Sequence, residues 1–315
     1  MARRKPTGRP INGWLVIDKA EGMTSTHVVN VVKRLTHAQK VGHGGTLDPL
    51  ATGILPIAMG EATKTVAYVM DARKAYEFRL RFGEQRDTDD ATGEVIAFSE
   101  ARPTDEAIRA TLPRFLGLIQ QVPPRFAAVK VQGERAYDIA RRGEVVELAA
   151  REVRIDELEL VGRPDADHAD FRMSCGKGAY VRAIARDLGL ALGCYAHVAA
   201  LRRTEVGAFS VENALSLDAL ARIVEDDTLP QVLVPVATAL VGIPALAVTE
   251  PQAHRLRSGL AVRIAPALLG EVLQEPVTVR AMRAGELVAL ARLENMELSP
   301  VRVFQSSPMP IGNRE

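Results

Sequence analysis

Apolar and charged residues alternate along KAYEFRLRF, residues 74–82. That pattern predicts a half-exposed strand with Tyr76, Phe78, Leu80 and Phe82 on one face. By pattern alone, Tyr76 is one aromatic in a buried row. The run GWLVID, residues 13–18, is almost wholly apolar and predicts a buried strand. GMTS follows it, so Thr24 or Ser25 is an N-cap candidate. Residues 26–35 then carry Val28, Val29, Val32 and Leu35 at helical spacing. A second helix is expected over 62–73, with Val66, Val69 and Met70 inward. Further helices are expected over 103–115, 134–142 (which holds Tyr137) and 179–192. Strands are expected over 126–131, 145–161 and up to Cys175. The acidic run EQRDTDDATGE, residues 84–94, reads as an exposed, mobile loop. From about residue 243 short strands alternate with turn residues, as in a small β-rich domain that ends near Phe304.

The chain has 315 residues, 47% hydrophobic and 25% charged, which suits one large domain and one small one. Residues 228–249 carry no charge and are long enough to cross a bilayer. Pro230, Pro235, Gly242 and Pro244 interrupt any helix there, so the segment is read as a connection between domains and no membrane is implied. The basic start MARRKPTGRP lacks an apolar run after it and is not a secretory signal. Two cysteines, Cys175 and Cys194, give no disulfide framework, and a cytoplasmic location is expected.

The net charge of +1 hides strong segregation. Residues 1–45 hold eight Lys or Arg against Asp18 and Glu21. Residues 84–106 hold eight acids against Arg86 and Arg102, and residues 172–203 are basic again. Salt screens exposed charges over roughly 8 Å, so a polyanion senses such patches rather than the sum.

Catalytic motifs are mostly missing. The six histidines form no HExxH pair, and there is no CxxC, so a metal site has no support. No GxxxxGK[ST], no GxGxxG after a strand and no GxSxG occurs. What stands out is VGHGGTLDPLATG, residues 41–53, which presents a single acid, Asp48, on a glycine-lined turn with His43 five residues upstream. Glycines there let a ligand approach the main chain, and Pro49 biases Asp48 away from helix. Carboxylate chemistry on an anionic substrate, with no cofactor, fits that set. Arg182, in the first turn of a predicted helix, sits unfavourably against the helix dipole unless it faces a carboxylate.

Four segments in order, GHGGTLDPLATGILPI, KAYEFRLRFGEQRDTDDATGEV, PPRFAAVKVQGERAYDIARRG and CGKGAYVRAIARDLGLALGCYAHVAALRR, resemble the motifs of the TruB-type tRNA pseudouridine synthases. The likeness is strong over residues 13–209. LRSGLAVRI and SPVRVF resemble, more loosely, the family's RNA-binding PUA domain. The resemblance implies an α+β fold: a catalytic domain on a mixed, mainly antiparallel sheet, then a small PUA-like β-barrel. Its divisions are a basic tail (1–12), the catalytic domain (13–242), the PUA-like domain (243–305) and a disordered tail (306–315). It implies conversion of uridine 55 in the tRNA T-loop to pseudouridine, without metal or cofactor. In this family Asp48 matches the catalytic aspartate, which attacks ribose, attacks the base or promotes a glycal route. Arg182 matches its charge partner, and Tyr76 the aromatic that stacks on the base or takes part in proton transfer. His43 matches the position that fills the gap near the flipped base, and Leu201 the apolar residue beside it. Lys19 matches a motif lysine of structural or RNA-contacting character. Base flipping costs a few kcal/mol and one aromatic stack returns roughly 1–3, so residues beyond Tyr76 are needed.

Two positions depart from the family pattern: Ala20 stands where a proline is usual, and Ala127 where a serine is common. The expected partner is the tRNA T-arm, met by a monomer with no obligate protein partner. The acidic stretch faces away from RNA or forms a flap. Rival expectations are a tRNA-folding chaperone in which catalysis is secondary, and a guide-RNA-directed enzyme of the dyskerin kind. The latter would carry long basic extensions.

Overall fold

The computed structural model describes residues 8–127, 129–131, 134–135, 139, 142, 144, 148–265 and 276–305. The apolar run at the start forms strand β1 (Gly13–Lys19). Thr24 caps the next helix, Ser25–Thr36, by accepting a hydrogen bond from His27 N, and Val28 and Val32 are its buried stripe. Strands β2 (Val41–His43) and β3 (Thr52–Met59) bracket the glycine loop. β4 (Lys74–Phe82) is the alternating strand, and β5 (Glu84–Arg86) with β6 (Val95–Phe98) makes a separate hairpin. β7 (Gly117–Gln121), β8 (Lys130–Val131), β9 (Glu134–Arg135), β10 (Arg151–Gly162) and β11 (His168–Cys175) follow. After helix Val181–Ala191 come β12 (Ala196–Val206) and β13 (Phe209–Ser210).

One sheet joins most of these in the order β1-β3-β12-β4-β11-β10-β7, with β2 paired to β3 and β13 to β12. Its pairs are antiparallel except β3 with β12, so the sheet is mixed and mainly antiparallel, as expected. The two halves of the sheet explain the two sequence patterns. β1 and β3 are covered on both faces: Leu15, Ile17, Leu55 and Ile57 pack with Val28 and Val32, while Trp14, Val16, Ile54 and Phe209 form the opposite layer. Strands buried on both faces read as continuous apolar runs. β4 is covered on one face only. There Phe78, Leu80 and Phe82 meet Ile184 and Leu188 of helix Val181–Ala191 and Ile108 of helix Asp105–Thr111, while Glu77 and Arg79 stay exposed.

Strands β14 (Ala245–Ala247), β15 (Val262–Arg263), β16 (Val277–Arg283), β17 (Glu286–Glu294) and β18 (Glu297–Val303) form a second sheet, ordered β14-β16-β17-β18-β15. It closes on its own core, including Leu256 of helix Glu250–Arg257, which Thr249 and Gln252 cap reciprocally. The two units touch at a seam. Lys64 Nζ donates to the Val303 carbonyl at 2.9 Å, and Gln305 N donates to Glu61 at 2.9 Å. No helix among the described residues is long and apolar enough to cross a membrane; residues 228–249 are broken into short turns of helix and β14.

Several expected elements differ. The helix over 62–73 is a 3₁₀ stretch, Gly60–Thr65, and a short helix, Val66–Asp71; Val69 is buried but Met70 is 49% exposed. The helix over 103–115 ends at Thr111 and tightens to 3₁₀. Of the strand over 126–131 only β8 forms, and Glu134–Arg135 is a strand rather than a helix start. Tyr137 and the tail 306–315 lie outside the described residues. The largest difference is the acidic run. Asp89 and Asp90 are each only 5% exposed, and Val198 N donates to the Asp89 carbonyl while Ala91 N donates to the Val198 carbonyl. The loop is docked against β12 because these carboxylates find arginines below them.

Candidate active site

Asp48 sits on a loop tied down from three sides. Ser25 Oγ donates to the Leu47 carbonyl at 3.1 Å and accepts from Leu47 N at 2.9 Å. Lys19, 1% exposed, donates to the carbonyls of Ala20, Met23 and Pro49, and Gly22 N also donates to Pro49. Ala51 N closes the turn onto the Asp48 carbonyl. Burial lowers Lys19 to about 8, with Asp48 and Glu21 opposing the drop. All three Lys19 protons serve main-chain acceptors, so this geometry supports the structural role over RNA contact.

Arg182 enters from the first turn of helix Val181–Ala191, its side chain 6% exposed. Nε lies 2.9 Å from Asp48 Oδ2, a close ion pair, although it is not aligned for a hydrogen bond. Its other nitrogens donate to the carbonyls of Thr88 and Phe126, each at 3.0 Å. Asp90 Oδ2 stands 3.7 Å from the same Nε, and the Asp90 carboxylate is itself held by Thr88 and Thr92. A cation at a helix start is tolerated here because two carboxylates face it. One turn on, Arg186 meets Asp89 at 3.3 Å and Asp187 at 2.8 Å and donates to the Val122 carbonyl.

Burial raises Asp89 to about 6; Arg186 and Arg182 oppose the rise, and Asp187 and Asp90 add to it. A carboxyl raised in the folded state favours folding below its unfolded value, and that contribution is lost as pH rises through about 6. Between pH 7.5 and 5 Asp89 therefore adds roughly 1.4 kcal/mol to stability. Urea unfolding at both pH values checks this: the change in stability on acidification should be less favourable by that amount in Asp89→Asn than in the unsubstituted chain.

Tyr76 projects from β4 on the face shared with Phe78, opposite Arg203 of β12. The residue is half-buried; burial pushes its phenol up to about 12, against the pull of Arg203. Leu201, 9% exposed, pairs with Phe78 and packs with Leu47, Leu50 and Tyr76, which brings the apolar residue and the aromatic to the Asp48 loop. His43 lies on β2, and its Nδ1 accepts from Gly45 N at 3.3 Å. Burial, helped by Arg203, holds its imidazole below the ordinary value, so it is neutral at pH 7 with its proton assigned to Nε2. Asp48, Arg182, Tyr76 and Leu201 thus converge, Lys19 supports the loop from beneath, and His43 borders its glycines. An open groove lined by Leu50, Thr52, Phe78 and Leu201 adjoins this site, with Arg79 and Asp170 on its rim; Asp48 itself is not in its lining. Among the described residues no cluster of histidines, cysteines or carboxylates has the makings of a metal site.

Sequence reasoning missed Arg203, Asp90 and Tyr180. Arg203 counted as one charge in a basic patch, and Asp90 as one acid in a mobile loop. Tyr180 holds the N-cap position before Arg182; its backbone is locked to the Gln121 side chain, and burial raises its phenol. A signal existed only for Tyr180, which stands two residues before Arg182.

One mixed sheet thus carries a loop aspartate paired with a helix-borne arginine, with a tyrosine in the adjoining apolar cluster, and the chain matches known proteins over most of its length. The model of the TruB family pseudouridylate synthase N-terminal domain matches residues 33–181, and that of the tRNA pseudouridylate synthase B C-terminal domain matches residues 182–241. The chain belongs to the TruB family of pseudouridylate synthases. It is 56% identical to the tRNA pseudouridine synthase B of Bradyrhizobium diazoefficiens, over 94% of this chain and 86% of that protein. It is 55% identical to the protein of the same name from Gluconacetobacter diazotrophicus, over 96% and 100%. Among solved structures, a chain of a Cbf5-Nop10-Gar1 complex superposes with a TM-score of 0.71 at 27% identity, covering 93% of this chain and 84% of that one.

Proposed function

We propose that this chain converts uridine 55 in the T-loop of tRNA to pseudouridine in the cytoplasm, acting alone and without a cofactor. The observation that carries the reading is the Asp48 carboxylate 2.9 Å from Arg182, on a loop whose Leu47 and Leu50 join the cluster of Tyr76 and Leu201. Isomerisation breaks the bond from N1 of uracil to C1′ of ribose and forms one from C5 to C1′. N1 gains a proton and C5 loses one, so nothing is oxidised or hydrolysed. Asp48 supplies the anion that assists cleavage at the sugar. Arg182, 2.9 Å away, aims it. Tyr76 and Leu201 hold the flipped base between ring and side chain, and neutral His43 faces the gap that it leaves. Asp90 and the Thr88 carbonyl hold Arg182 in turn.

Phosphate contacts fall to a smaller set of cations than the sequence suggests. Arg182 and Arg203 are buried, and Arg172, Lys177, Arg186 and Arg202 each face a carboxylate, so the basic stretch 172–203 is largely engaged within the protein. Lys33, Arg34 and Lys40 remain exposed. Raising salt from 50 to 200 mM should weaken tRNA binding by roughly 10²-fold, measured by filter binding; a flat response would remove the phosphate contacts from the reading.

The test of function is tritium release from unmodified tRNA transcript labelled at uracil C5. Release is expected with the natural T-loop and lost when nucleotide 55 is cytidine. Release that persists in the cytidine transcript would move the target elsewhere. Tight binding with no release from any transcript would favour a folding chaperone.

A further inference from the structure

Arg203 is a buried arginine that no ion pair joins among the described residues. It is 2% exposed and stands on β12 between two neighbours, paired with Tyr76 of β4 and with Gly53 of β3. Nε donates to the Ile54 carbonyl at 3.0 Å. The two terminal nitrogens reach the loop that carries Asp48, donating to the carbonyls of Thr46 at 3.3 Å and Gly45 at 3.1 Å. Tyr76 stands directly across the β4–β12 pair from Arg203, and each favours the charged form of the other. Among the described residues its hydrogen-bond partners are carbonyls.

A buried cation left without a counterion is costly. A peg for carbonyl oxygens needs no charge, because a neutral amide donates equally well to one or two of them. What an amide lacks is the planar fork, whose donors reach the loop and β3 at fixed angles to one another while the plane stays beside Tyr76. Asp48 is the carboxylate whose field favours this buried charge.

We propose that Arg203 is a positioning residue of the isomerisation: a single rigid guanidinium holds the Gly45–Thr46 backbone beside its cross-strand neighbour Tyr76, and so sets the spacing between the Asp48 carboxylate and the ring that receives the base. This rests on the isomerase reading above. Arg203 touches no substrate; it acts through the loop and through Tyr76. A shift of about 1 Å in that spacing is enough to cost about 10²-fold in rate.

The experiment compares the unsubstituted chain with Arg203→Lys, which keeps the charge and loses the fork, and with Arg203→Gln, which keeps an amide donor. Three quantities are measured for each: the single-turnover rate of tritium release at saturating protein, the Kd for tRNA, and the melting temperature. In addition, 3-fluorotyrosine is incorporated at the five tyrosines, and the fluorine resonance of residue 76 is assigned by its loss in Tyr76→Phe. The expected result for Arg203→Lys is a folded protein with Kd within about twofold, a rate lower by about 10²-fold and a displaced fluorine resonance in the absence of RNA. Arg203→Gln should behave alike wherever it folds. A folded Arg203→Lys with a rate within about threefold of the parent, or with an unmoved fluorine resonance, overturns the proposal. So does a lower melting temperature with the rate intact, since that is the signature of a structural peg. A parent chain that releases no tritium removes the isomerase reading and the proposal with it, and the fluorine resonance separates that failure from a failure of the Arg203–Tyr76 contact.

Discussion

Asp48→Asn should release tritium about 10⁴-fold more slowly than the unsubstituted chain, the scale on which removal of one member of a catalytic set is felt. The substitution is nearly isosteric and removes the negative charge that Arg182 aims. The fold should survive it. Asp48 is 37% exposed at its side chain, and Arg182 keeps the Thr88 and Phe126 carbonyls and stays beside Asp90. The site loses its anion while Arg182 keeps Asp90 as a counterion. Binding of tRNA should be retained or slightly tighter, because an anion has been taken from a surface that meets phosphates. Single-turnover tritium release, a Kd from filter binding and a thermal melt on the same preparation check all three. Equal release from both proteins would leave an enzyme whose centre is elsewhere.

Gly53→Ala should be the most damaging small substitution in the sheet. Gly53 has φ of +94°, a region that L side chains rarely adopt, and a Cβ there would overlap the Arg203 carbonyl oxygen. The contact is with backbone, so no rotamer change relieves it. Strain and overpacking together give roughly 3 kcal/mol, and a melting temperature lower by roughly 6–12 °C for a chain of this size. The same two residues are one of the two pairs in the parallel ladder of β3 with β12, so the β3–β12 junction should loosen and carry the Asp48 loop with it. Tritium release measured well below the new melting temperature should therefore fall as well. A stable variant with full activity would show that the strands part here at little cost.

The half of the fold that was legible in the sequence is the half in which local pattern and tertiary environment agree. Strand β4 alternates because one face is covered, and its bounds, Lys74–Phe82, are those of the alternating segment. Of the two cap candidates in GMTS, Thr24 is the one that caps. Asp48 and Arg182 were legible through motif order, and the structure puts them 2.9 Å apart. The acidic run was misread because a string of carboxylates ordinarily seeks water. Arg182 and Arg186, one helical turn apart and nearly a hundred residues downstream, draw Asp89 and Asp90 inward, and nothing local announces that. Met70 was assigned inward on helical spacing, but the segment tightens to 3₁₀ before it and turns the side chain out. Arg203 was hidden because burial of a cation depends on three carbonyls brought together by strand register, which spacing along one strand does not encode.

The loop bearing Asp48 is fastened by Ser25, Lys19, Gly22 and Arg203 before any RNA arrives. A receptor so fastened does not yield, and the adaptation on encounter belongs to the nucleic acid. The free energy of opening the loop then becomes a property by which one RNA is told from another. A hairpin whose uridine is already weakly stacked should enter more readily than one of identical sequence locked by a tighter closing stem. Selectivity in this arrangement is a matter of mechanical compliance in the substrate, read by a rigid socket.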